Sequence, residues 1–117
     1  MQIMWTRGFL SEVPEEIQAK IMAYGLRNIK PDKPNWVVFH PPDRPPKNCK
    51  LCEAGQPHLE DEGRTLVVPN FTGLTKKVYA ILDDFGTVDA LRENMGRYAP
   101  PNLSSPYVVT FLLAEEY

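Results

Sequence analysis

A chain of 117 residues with 43% hydrophobic and 24% charged side chains has the apolar content that disordered segments lack, and its length suits one core. Thirteen basic against fifteen acidic residues leave a formal charge of −2, and the cations stand singly or in pairs, as in Arg44, Lys47 and Lys50, Lys76 and Lys77, or Arg92 and Arg97. That pattern excludes strong non-specific binding to nucleic acid or to an anionic membrane, which needs clustered cations, but leaves a small anionic ligand open.

The opening residues, Ile3 to Leu10, mix apolar and polar positions and predict a short first strand. "SEVPEEIQAKIMAYGLRNIKP" follows and predicts the main helix. Pro14 fits its first turn, and Glu15 and Glu16 suit the positive end of the helix dipole. Ile17, Ile21, Tyr24 and Gly25 share one face, which Met22, Leu26 and Ile29 widen, and Pro31 and Pro34 end the element.

"NWVVFH", Asn35 to His40, is β-branched and apolar enough for a buried strand. Pro41, Pro42, Pro45 and Pro46 then impose extended backbone on an exposed loop. Beyond the loop, "RTLVVP" and "KKVYAILDD" read as two strands separated by the turn-prone "NFTG". Thr87 is the expected cap of a short helix with Val88, Leu91 and Met95 on one side and Gly96 past its end. Tyr107 to Leu113 forms the last strand.

These elements predict a single domain, 1–117, of α+β class: a small, mostly antiparallel sheet of about five strands covered by one main amphipathic helix, with a long Pro-rich loop over 41–63. No apolar run approaches the roughly eighteen residues of a membrane span, and "MQIMWTRGF" lacks the pattern of a secretory leader. Two cysteines at CxxC spacing fit a reducing compartment better than a disulfide scaffold, so a cytoplasmic location is expected. In a core this small, a metal, a ligand or a homo-oligomeric partner is expected to add to the stability.

Four segments in fixed order, "TRGFLSEVPEEIQ" (Thr6 to Gln18), "VVF" before the loop, "VYAILDD" (Val78 to Asp84) and "TFLLAEEY" (Thr110 to Tyr117), carry a likeness. Together they resemble a small family of uncharacterised proteins from Gram-positive bacteria and their phages, registered as domain of unknown function 960. The match spans roughly half the chain. It implies one compact domain and a bacterial or phage setting, and it transfers no catalytic residues. The Cys-bearing loop is an elaboration that the typical family member lacks.

That loop reads His40-x8-Cys49-x2-Cys52-x5-His58. A CxxC knuckle offers two thiolates to one ion from a single tight turn, and Gly55 frees the chain to turn back. Structural zinc is the expected cofactor, with His40, Cys49, Cys52 and His58 as ligands, or with Glu53, Glu60, Asp61 or a second chain completing the shell. The competing reading is a pair of ordinary reduced thiols beside surface histidines. A redox CxxC is disfavoured because such motifs open a helix, whereas Glu53 and Gly55 follow here. "HLE" beside "PKNCKLC" is similar to the zinc deaminases, but the order is reversed and the proline displaced.

Asp83 and Asp84 end a strand, where neighbouring side chains point to opposite faces, so a solvated strand end is preferred over a cation site or acid–base pair. Trp5, Trp36, Phe39, Tyr79, Tyr98 and Tyr107 are candidates for a stacking or protein-contact platform as well as for the core. Arg7, Arg44, Arg64, Arg92 and Arg97 are scattered. No phosphate-binding glycine loop or nucleophile elbow is present.

The sequence therefore points to a non-catalytic binding module, phage or mobile-element encoded, that binds and inhibits a host defence protein. Three competing functions stay open: sequestration of a nucleotide signal, a zinc-dependent enzyme acting on a small polar substrate, and a nucleic-acid-binding zinc knuckle using Lys47 and Lys50.

Overall fold

Along Val78–Asp84 burial alternates as far as Asp83, with Val78, Ala80 and Leu82 inward, and this strand pairs over its whole length with Tyr107–Leu113. The computed structural model describes residues 1–43 and 49–117. Pro45, Pro46, Arg44 and Lys47 of the expected extended segment lie outside the described residues.

In chain order the elements are β1 (Gln2–Trp5), α1 (Arg7–Glu12), α2 (Glu15–Asn28), β2 (Trp36–Phe39), α3 (Lys50–Glu53), β3 (His58–Glu60), β4 (Thr65–Val68), β5 (Val78–Asp84), α4 (Val88–Met95) and β6 (Tyr107–Leu113). The strands form one six-stranded sheet in the order β1-β6-β5-β2-β4-β3.

The α+β class agrees with the sequence reading, but the sheet is mixed rather than essentially antiparallel. β1 runs parallel to β6 and β2 parallel to β4, while β2–β5, β3–β4 and β5–β6 are antiparallel. Parallel neighbours need a long return. The expected loop supplies one of these, since it holds α3 and the extra edge strand β3 between β2 and β4.

The first strand is shorter than expected. It stops at Trp5 because Thr6 turns extended and caps α1, its hydroxyl accepting from the Phe9 N–H at 3.3 Å. α1 and α2 then cover one face of the sheet. Gln18, buried in α2, donates to the carbonyls of Leu10 (3.0 Å) and Val13 (2.7 Å), which fixes the bend between the two helices.

Phe9, Ile21 and Ile29 from the helical layer meet Val37, Phe39, Val78, Ala80, Val109, Phe111 and Leu113 in the core. The approach is closest at Gly25, where an added Cβ would stand 3.0 Å from the Phe111 ring and 3.5 Å from Ala80. Tyr24 and Phe71 pack edge-on against Phe39, with ring centroids 5.9 and 5.3 Å away.

The chain ends return to one place. Glu116, in a 3-10 turn after β6, accepts from the Leu113 N–H (2.9 Å), the Gly8 N–H (3.1 Å) and the Thr6 hydroxyl. A Cβ on Gly8 would lie 2.6 Å from the Glu116 carboxyl carbon, so a side chain there would displace the carboxylate from this contact. Alongside, Lys76 bridges Glu12 (3.0 Å) and Glu115 (2.7 Å).

The opposite face of the sheet carries His58, Val67, Val38, Tyr79 and Leu112 on one row, and Glu60, Thr65, Trp36, Ile81 and Thr110 on the next. α3 and α4 sit on this side, so helices flank both faces rather than one. Between them Trp36, Tyr79 and Tyr117 form an edge-on trio with centroids 5.1 to 6.0 Å apart.

Two outcomes follow from this packing. Gly25→Leu should overpack the contact with Phe111 and lower unfolding free energy by about 1–3 kcal/mol. Gly25→Ala should be milder, because the squeeze is offset by about 1 kcal/mol of helix propensity. Denaturant titration of both variants checks this, and equal midpoints would refute the close approach.

Glu116 has its pKa lowered, first by the Thr6 hydroxyl and then by the backbone N–H groups. Its contribution to stability is therefore present above the unfolded-state value near 4.5 and lost as pH falls through the folded value. Glu116→Gln should cost about 1 kcal/mol at pH 7, a modest figure because the residue is exposed, and should flatten the acid limb of the stability–pH profile.

Candidate metal centre

Cys49 stands in extended backbone at the start of α3, and its Sγ accepts from the Cys52 N–H at 3.2 Å. This is the knuckle expected of CxxC. After the single helical turn Gly55 takes a φ of +72°, its N–H bonding the Cys52 carbonyl while Gln56 bonds Leu51, and the chain reverses into β3. A one-turn helix does follow the first cysteine, which corrects the sequence reading that the motif opens none.

β3 pairs His58 with Val67 and Glu60 with Thr65, so strand alternation sends both side chains to the face beneath the knuckle. His58 Nδ1 lies 2.8 Å from the Gln56 carbonyl, which can only accept, so Nδ1 carries a proton. The neutral ring then presents the lone pair of Nε2 to the thiols. Nε2 is 3.6 Å from Cys49 Sγ, 3.8 Å from Cys52 Sγ and 3.1 Å from Glu60 Oε1.

Donor atoms of Cys49, Cys52, His58 and Glu60 all lie within 4.8 Å of one another. Tetrahedral zinc requires S···N separations of about 3.5 Å and N···O separations of about 3.3 Å, from the usual Zn–S, Zn–N and Zn–O lengths. The S···N separations of 3.6 and 3.8 Å and the N···O separation of 3.1 Å are close to these values, and the Gln56 carbonyl supplies the outer hydrogen bond that orients a ligating histidine.

The two thiols are unequal. Hydrogen bonds from Cys52 hold the Cys49 pKa below its ordinary value, whereas burial pushes Cys52 up to about 12. His58 is raised, chiefly by the Gln56 carbonyl and further by the Glu60 carboxylate. In the absence of a cation the cluster thus favours protons on Cys52 and His58, which a metal must displace.

Cys49, Cys52 and His58 are brought together as the sequence anticipated, but His40, expected as the fourth ligand, is outside this group. Its N–H donates to the Val68 carbonyl and its own carbonyl accepts from Phe71, so the backbone is fixed as a continuation of the β2–β4 ladder. The side chain is buried beside the cluster, with its pKa lowered by burial and then by Lys77. Glu60 takes the fourth place because it sits two residues from His58 on the same strand face. The two further carboxylates near the knuckle stay out of the group: Asp61 pairs with Arg64 at 2.8 Å, and Glu53 is exposed. The Gln56 carbonyl had no sequence signal, being backbone.

Elsewhere the structure sorts the remaining candidates. Asp84 accepts from the Gly86 N–H at 2.8 Å in a turn, while Asp83 faces the other side of the sheet. Phe39 is core and Tyr107 packs against that core; Trp5 donates to the Met22 sulfur; Tyr98 is exposed beneath Arg97. Among the described residues no helix is long and apolar enough to cross a membrane.

No family model matches the chain, and neither the curated proteins nor the solved structures yield a match.

The geometry makes Glu60 and His40 separable. In competition titrations against a chromophoric chelator, Glu60→Ala should lower metal affinity at least about ten-fold, while His40→Asn should leave it within about two-fold. The reverse order would return the fourth position to His40. Affinity should also fall as pH is lowered, with proton release on binding, since the Cys52 thiol must lose its proton and the raised His58 competes for one more strongly as pH falls.

Proposed function

We propose that the chain is a non-catalytic binding module in which residues 49–60 are clamped to the sheet by structural zinc. The convergence of Cys49, Cys52, His58 and Glu60 within 4.8 Å carries this reading. Two sulfur donors favour zinc over magnesium or calcium, and four protein donors close the tetrahedron, as in structural rather than catalytic sites.

The clamp lies at one end of the sheet face on which Trp36, Tyr79 and Tyr117 cluster. Trp36 and Tyr79 are half-buried and Tyr117 is 76% exposed, so these rings offer a protein partner rigid aromatic area. In the bacterial or phage setting that the terminal segments imply, the partner is a host defence protein inhibited by occupancy.

Native mass spectrometry of the chain purified without chelator tests the reading. One zinc per chain is expected, lost in the Cys49→Ser/Cys52→Ser double variant, with hydrogen exchange rising over 49–60 while β5 and β6 stay protected. A chain that carries no metal and takes up no added zinc would overturn the clamp. Retention of the same host protein by wild type, Trp36→Ser and the double variant alike would overturn the partner surface.

A further inference from the structure

The edge of the sheet remote from the metal centre carries a second cluster. α4 lies over the same face as His58 and Glu60, and between it and strands β1, β5 and β6 is a pocket of about 310 Å³. That volume falls at the lower end of the range for small-ligand sites. Leu91 and Val108, 0% and 4% exposed, are among its lining residues. Met4, Phe85 and Met95 also line it, and the two methionines can adapt to an irregular apolar guest.

Asp83 is the single charged side chain in this lining. Its carboxylate has no ion-pair partner among the described residues. Neighbouring Asp84 points the other way and is engaged by the Gly86 N–H. The nearest cation in sequence to the wall residue Tyr98 is Arg97, whose guanidinium is occupied over the Tyr98 ring at 5.2 Å and donates to its hydroxyl. An apolar floor with one negative charge at its rim selects a guest with an apolar body and a cationic head.

We propose that this pocket binds a small organic cation of the aryl- or alkyl-ammonium class, its hydrocarbon against Met4, Phe85 and Met95 and its ammonium on the Asp83 carboxylate. The site is independent of the metal centre. Asp83 gives the sign of the ligand charge, and the α4 cleft gives its size.

The test is a proton–nitrogen correlation titration of the full chain at pH 7 with two matched probes, phenethylamine and 3-phenylpropionate. Phenethylamine should shift amides of β1, β6 and α4 saturably with a Kd of about a millimolar, and 3-phenylpropionate should bind at least about ten-fold more weakly. Asp83→Asn, a surface change that leaves the core intact, should weaken phenethylamine about ten-fold and abolish the preference. Three results would overturn the proposal: no saturable shift with phenethylamine, equal binding of both probes, or unchanged affinity in Asp83→Asn. None of these bears on whether the four donors at the other edge hold zinc.

Discussion

At Gly25, α2 comes down on the sheet until its backbone is separated from the Phe111 ring and the Ala80 methyl by little more than hydrogens. A side chain larger than a methyl would lift the helix. The descent lets Ile21 and Ile29 reach between the rows of Val37, Phe39, Val78, Val109 and Leu113, which places the main core on this one side of the sheet. With that face sealed, the other is left to short elements. The four candidate donors, the aromatic trio and the α4 pocket all use this second face, where side chains can be chosen for chemistry without opening the core.

A second constraint closes the chain upon itself. Thr6 and Gly8 meet the Glu116 carboxylate, and Lys76 ties Glu12 to Glu115. The segments "TRG" and "LLAEEY", over a hundred residues apart, are therefore two halves of one contact. The contact also explains the parallel pairing at the sheet edge: β6 delivers Glu116 past the end of β1, so the two strands must run the same way for the carboxylate to reach the start of α1.

Elements with a strong period were legible in the sequence. α2 showed its stripe, β5 its alternation and β6 its apolar run, and α4 is bracketed by the Thr87 hydroxyl at its start and the positive φ of Gly96 at its end. Elements that depend on distant partners were not. β3 is three residues long and exists as a strand through its pairing with β4, and α3 is a single turn held by the Cys49 cap. Phe9 and Leu10 prolong an apolar pattern that reads as strand, although Thr6 is a sound helix cap and could have divided it. At the metal centre the preference for imidazole over carboxylate favoured His40. The decisive feature was instead the i, i+2 relation between His58 and Glu60, which becomes visible only once "HLE" is known to be a strand.

The metal corner illustrates how weak elements can hold one another. A three-residue edge strand has little intrinsic stability, and a one-turn helix has less. A cation shared by Cys49, Cys52, His58 and Glu60 would join the two, and each would then supply the other's missing order. Since Cys52 is buried while the main core lies across the sheet, most of that binding free energy would go into ordering residues 49–60, with little passed to the Phe9–Phe39–Phe111 cluster. Order in this corner and stability of the main core would thus be separable in this fold.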